Sequence, residues 1–195
     1  MSRGGTAAPS SRDPQTSALR DGSFRADLTH ELGHAIVAHH VGVTVTSVVV
    51  RNIALVDGEL RVRGGCSIEW WAGLGVPGKL AVMSVAGMVA EMLDRAEDPR
   101  RDPLALLRSD VEFAGDLEDA LIYLQRRFRG ATQEKCEMLI PRAVDEAHAI
   151  LAPRLAAIRA VVTRFDQHVR ETRCADLTIA WSDDDDALLA ELQLV

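Results

Sequence analysis

Cysteine is scarce in this chain. Cys66, Cys136 and Cys174 are widely spaced, so neither a disulfide framework nor a cysteine zinc site takes shape, and a reducing cytoplasmic setting is expected. An excess of positive charge is missing as well. The 22 Lys and Arg against 29 Asp and Glu leave a formal net charge of -7, which argues against nucleic acid or an anionic membrane as the main partner. Long hydrophobic runs are absent: charge or Gly interrupts every apolar stretch short of the roughly 18 residues that suggest a membrane span. The N-terminus has no apolar signal core, and no internal repeat is evident. What is present is a 195-residue chain that is 47% hydrophobic, enough for one domain with a sizeable core. Residues 1–22 are Ser, Gly, Ala, Pro and Arg with few large apolar groups, and are expected to be a disordered leader. Residues 23–195 are expected to form the domain.

The most informative stretch is His30-Glu31-Leu32-Gly33-His34. Leu28, Leu32, Ala35, Ile36 and Val37 recur at helical spacing, which predicts a helix from about Phe24 to Val41. Ser23 or Asp27 is its candidate N-cap, and Gly42 its stop. On a helix, histidines four apart share one face. Two imidazoles so placed suit one Zn²⁺ ion at about 2.0–2.1 Å each. Glu31, beside the first ligand, is the candidate general base for the zinc-activated water, and the chemistry is hydrolysis of an amide. Gly33 costs about 1 kcal/mol against Ala inside a helix, so a close approach by another element or by substrate is expected there. His39 and His40 close the helix, where cations are favoured for other reasons.

Further along, Val43 to Val50 is β-branched and predicts a strand, Asp57-Gly58 a turn, and Glu59 to Arg63 a second strand. Gly64-Gly65 breaks it, and Cys66 to Trp71 resumes it. An exposed edge here would accept an extended peptide as an added strand. Trp70 and Trp71 are read as core or partner contacts. Pro77 opens a helix from about Lys79 to Leu93 that is apolar almost all round, and so buried. Glu91 is its odd residue. Three roles stay open for it: a zinc ligand, an outer acceptor for a ligand histidine's free N–H, or a group at the wet end of the helix. Ser109-Asp110-Val111-Glu112 has capping-box spacing and predicts a helix toward Arg127. Apolar stripes Val144, Ala147, Leu151 and Leu155, Ile158, Val162, Phe165, Val169 predict helices that Pro141 and Pro153 begin or break. The acidic run Asp183 to Asp186 caps a last short helix. His148 and His168 are taken as structural or surface groups. The fold class expected is α+β, mainly α-helical, with a zincin-like motif helix, a small β-sheet and a C-terminal helical segment.

A catalytic zinc takes three protein ligands and water. The candidates for the third are Glu91, Asp110, Glu112 and Asp116. At this point the chain resembles the peptidase domain of FtsH-type, AAA-linked zinc metallopeptidases. Their His-Glu-x-Gly-His-Ala element corresponds to His30 through Ala35, and their Ala/Ser-Gly-x-x-Ala-Glu element to Ala86 through Glu91. A Ser-Asn-Asp-Leu or similar segment, whose Asp is the third ligand and which an Ala follows, is matched here by Ser109 to Ala114. The resemblance implies zinc held by His30, His34 and Asp110, with Glu31 as base and Glu91 in an outer position. It also implies an endopeptidase acting on peptides or unfolded proteins, and ring-like homo-oligomers. The family's Gly/Ser/Thr-rich segment before the third ligand is replaced by Pro103 to Arg108. Its ATPase module and membrane anchors are not found in these residues, so ATP-driven unfolding would need a separate ATPase partner. The rival expectation is a non-proteolytic or degenerate zinc-binding protein that holds peptides or a protein partner. Regulator-cleaving peptidases with the same His-Glu-x-x-His motif are a further rival, but they place their third ligand sooner.

Overall fold

The computed structural model describes residues 22–63, 66–71, 77–109 and 111–181. Residues 1–21 of the expected leader, Asp110 and the expected last helix lie outside the described residues, whereas Gly22, the last residue of the expected leader, is strand and pairs with Val62. The chain is mainly helical with two small antiparallel sheets, the α+β class expected. No helix among the described residues is long and apolar enough to cross a membrane.

Strand β1 (Gly22–Ser23) leads directly into helix α1 (Phe24–His40), whose N-cap is Ser23. Gly42, at φ +83, provides the left-handed turn after it. Strand β2 (Thr44–Val50) follows, then β3 (Ile53–Val56), β4 (Glu59–Val62) and β5 (Cys66–Trp71). One sheet has the order β1-β4-β3 and contains the Asp57-Gly58 hairpin turn, with both turn residues at positive φ. The other has the order β5-β2-β6, where β6 is Leu177–Ala180. So β5 does not resume β4. It crosses to the second sheet and pairs Val48 with Ile68 and Val50 with Cys66. The side chains of Trp70 and Trp71 lie outside the described residues.

The helix expected over about 79–93 is two helices, α2 (Pro77–Ser84) and α3 (Ala86–Asp94), interrupted at Val85. Helix α4 (Pro103–Ser109) occupies the segment that departs from the family pattern, and α5 (Val111–Arg127) begins where the capping-box spacing put it. Then come α6 (Gln133–Glu137), α7 (Ile140–Leu151), a 3₁₀ turn at Ala152–Arg154 and α8 (Leu155–Thr172). Helix α1 is the centre of the molecule. It packs chiefly on α3 and also meets α2, α7, α8, β2 and β5. Its Leu28, Leu32, Ala35, Val37 and Ala38 are fully buried, which is why its apolar residues are not confined to one stripe. The C-terminal stripes are also consumed within the chain: Val144, Ala147, Leu151, Ile158, Val162, Phe165 and Val169 are all core residues. The C-terminal stripes, expected to leave apolar surface for a homo-oligomer to bury, are thus used within the core of the chain itself.

Candidate metal centre

Four helices build the site. Helix α1 supplies His30 and His34 one turn apart, and both are buried. Their Nε2 atoms stand 3.0 Å apart. Each Nδ1 is engaged on the far side of its ring. His34 Nδ1 donates to the carbonyl of Met83 on α2 at 2.7 Å. His30 Nδ1 donates to Glu91 Oε1 on α3 at 2.9 Å. A carbonyl oxygen can only accept, and an ionised carboxylate likewise, so both protons sit on Nδ1 in the neutral rings. The two Nε2 lone pairs then face each other across the site.

The break between α2 and α3 serves this arrangement. Backbone bonds cross it from Val85 N to Ala81 O at 3.4 Å and from Val89 N to Val85 O at 3.2 Å. The ladder lapses at Met83, and its carbonyl takes the His34 proton instead. Close helix packing fixes the ring positions. A Cβ at Gly33 would come within 2.6 Å of both Ala86 O and Ala90 Cβ, so α1 and α3 approach as closely as they do because Gly33 has none. The approach expected at Gly33 is thus by another element. A Cβ at Gly87 would fall on the His30 imidazole itself. On α5, Phe113 stacks on His30 with centroids 5.9 Å apart and planes 3° from parallel.

One turn after Phe113, α5 presents Asp116, which is 4% exposed. Its Oδ2 lies 3.3 Å from His30 Nε2 and its Oδ1 3.4 Å from His34 Nε2. Buried Asp116 Oδ2 has no hydrogen bond. His30, His34 and Asp116 form the one group among the described residues placed to hold a metal ion. The donor set fits zinc. Two imidazoles and a carboxylate are zinc ligands, and donors at about 2.0–2.1 Å from one tetrahedral ion stand about 3.3–3.4 Å apart. Two inward-facing ring nitrogens and a buried carboxylate oxygen without a hydrogen bond make a set of donors that could hold a cation.

Burial alone would lower the histidine pKa values, but the charge of Asp116 and, at His30, the bond to Glu91 outweigh it. His30 is raised well above the ordinary 6.5 and His34 is raised too. Burial would likewise raise Asp116, and the charges of His34 and His30 overcome that and lower it. Glu31 is half-buried on α1 and its charge adds to the field at both rings.

The carboxylate that meets the histidines is therefore Asp116, one of the four candidates for the third ligand. Asp110, the residue that the family resemblance implied, lies outside the described residues, as does the side chain of Glu112. A signal for Asp116 existed in the sequence. Asp116-Leu117 carries the Asp-Leu pair of the family segment, with Ala120 following, more literally than Asp110-Val111 does. Glu91 stands where an outer acceptor would, on His30 Nδ1, rather than among the inward-facing donors. His39 and His40 are in the last turn of α1, with His39 against Trp181. No protein-family model, curated protein or solved structure matches the chain.

Proposed function

We propose that the protein is a zinc-dependent endopeptidase of the FtsH-like kind, hydrolysing peptide bonds in peptides or unfolded proteins. The observation that carries the reading is the meeting of His30, His34 and Asp116, from helices far apart in sequence, with Glu31 on the same helix as the histidines. Four residues drawn from two helices form a hydrolytic set, whereas a chance motif match would leave the histidines without a buried carboxylate.

His30, His34 and Asp116 would hold the zinc, whose Lewis acidity acidifies water and polarises a peptide carbonyl. Glu91 and the Met83 carbonyl keep each imidazole in the tautomer that offers Nε2 inward. Glu31 accepts the proton of the attacking water and returns it to the amide nitrogen as the C–N bond breaks. Substrates would have to be loose or small, unless a separate ATPase partner unfolds them.

The test is cleavage of casein by zinc-loaded protein, with and without chelator, beside Glu31→Gln. The variant keeps the shape of the side chain and removes the base. Its zinc content is expected to match wild type while cleavage falls by about 10²-fold or more. A wild type that binds zinc but cuts nothing would favour a zinc-binding protein that holds peptides or a partner. Equal cleavage by Glu31→Gln would overturn the assignment of the base.

A further inference from the structure

Glu91 is 4% exposed and uses its two oxygens on two different partners. Oε1 accepts from His30 Nδ1 at 2.9 Å, and Oε2 accepts from the Arg95 guanidinium at 2.5 Å. Arg95 follows one turn later, just past the end of α3, and its side chain is 49% exposed. We propose that Arg95 is a positioning residue for the metal centre: its guanidinium fixes the Glu91 carboxylate, and that carboxylate fixes which edge of the His30 ring faces Asp116. The proposal rests on the metal-centre reading above.

The argument concerns what holds a ring in its plane and what holds it within that plane. Phe113 stacks against His30, and Gly87 leaves just the space the imidazole fills. Both constraints set the plane. Neither prevents a half-turn about the Cβ–Cγ bond, which keeps the plane but exchanges Nε2 for Cε1 on the edge facing Asp116. A carbon there cannot be a ligand. The bond from Nδ1 to Glu91 forbids the half-turn, because the flipped ring would present Cδ2 to the carboxylate.

Glu91 in turn needs an anchor. Were Oε2 left without Arg95, a buried acceptor would go unsatisfied. The carboxylate would then turn toward the water that Arg95 now keeps off, drawing Oε1 away from His30. Most Glu–Arg pairs at this spacing lie on the surface and contribute little. This one differs because its acid is buried and bonded onward to a candidate ligand.

The experiment measures zinc affinity of the full chain by competition with a chromophoric chelator. Wild type is compared with Arg95→Met, Arg95→Lys and Arg159→Met. Arg159 binds Asp94 Oδ1 at 2.7 Å at the same end of α3, so its loss reports any general loosening of that end. Arg95→Met is expected to weaken zinc binding about tenfold or more. Arg95→Lys should recover part of the loss, and Arg159→Met should stay near wild type. Nitrogen-15 spectra of the metal-free His30 ring, taken at alkaline pH where the imidazole is neutral, give a second readout: one tautomer in wild type, a mixture in Arg95→Met. Wild-type affinity in Arg95→Met, or an equal loss in Arg159→Met, would overturn the proposal even with the metal centre intact. A wild type that binds no zinc would instead bring down the metal-centre reading, and this inference with it.

Discussion

At the scale of single residues, the two histidines and Glu31 could be read from the sequence because their relation is local. A four-residue spacing on a helix is a geometric statement by itself. The third donor was not readable in the same way. Asp116 comes within 3.4 Å of an imidazole through the packing of α5, chiefly against α2, which no local pattern reveals. Asp116→Asn tests that donor. A neutral amide is a poorer zinc ligand than a carboxylate and leaves the two Nε2 atoms without their counter-charge. Zinc retention on dialysis is expected to drop together with cleavage, unlike in Glu31→Gln, where only cleavage drops. Metal analysis after dialysis checks it, and full zinc content in Asp116→Asn would contradict the site drawn here.

At the scale of elements, most helices were legible because their caps and apolar periods are local. The break at Val85 was not. Pro77 to Leu93 is apolar on every side, so its period carries no phase, and neither Ser84 nor Val85 is a helix breaker. At the break the Met83 carbonyl accepts from His34 Nδ1, a contact between distant residues that no local pattern reveals. Strand β3 escaped notice because its four residues, Ile53–Val56, are few and gain their partners only from β4. Strand β6 escaped for a similar reason, since its pairing with β2 joins residues far apart in sequence. The contact between α1 and α3 makes an element-scale prediction. Gly33→Ala would improve helix propensity, yet its Cβ would meet Ala86 O and Ala90 Cβ at 2.6 Å. Both neighbours are short and fixed, so the helices must separate. Overpacking of this kind costs about 1–3 kcal/mol, more than the roughly 1 kcal/mol that propensity returns. A lower thermal midpoint is expected for the metal-free variant, and a higher one would show that the helices are free to part.

At the scale of the whole molecule, the site links stability to pH, with opposite signs in the two states. Without metal, His30 and His34 have pKa values raised above the ordinary 6.5. Such groups stabilise the fold fully below that value, and the contribution is lost as pH rises through their native values. Asp116 is lowered from the ordinary 3.8, so its contribution is present above that value and lost as pH falls toward its native one. The metal-free protein is therefore expected to be most stable in mildly acidic solution and to weaken above neutrality. Zinc competes with those same protons, so the stabilisation it adds should grow as pH rises. Thermal midpoints with chelator and with zinc, at mildly acidic and mildly alkaline pH, check both signs. A zinc increment that shrinks on going alkaline would refute them. The origin of the donors on α1 and α5, with α2 and α3 between, bears on how such a protein survives its own synthesis. A chain still emerging from the ribosome carries two histidines without Asp116 opposite their Nε2 atoms until α5 has docked. During that interval it is itself an unfolded polypeptide, the kind of molecule it is proposed to cut, and under that proposal its own cutting site would not yet be assembled.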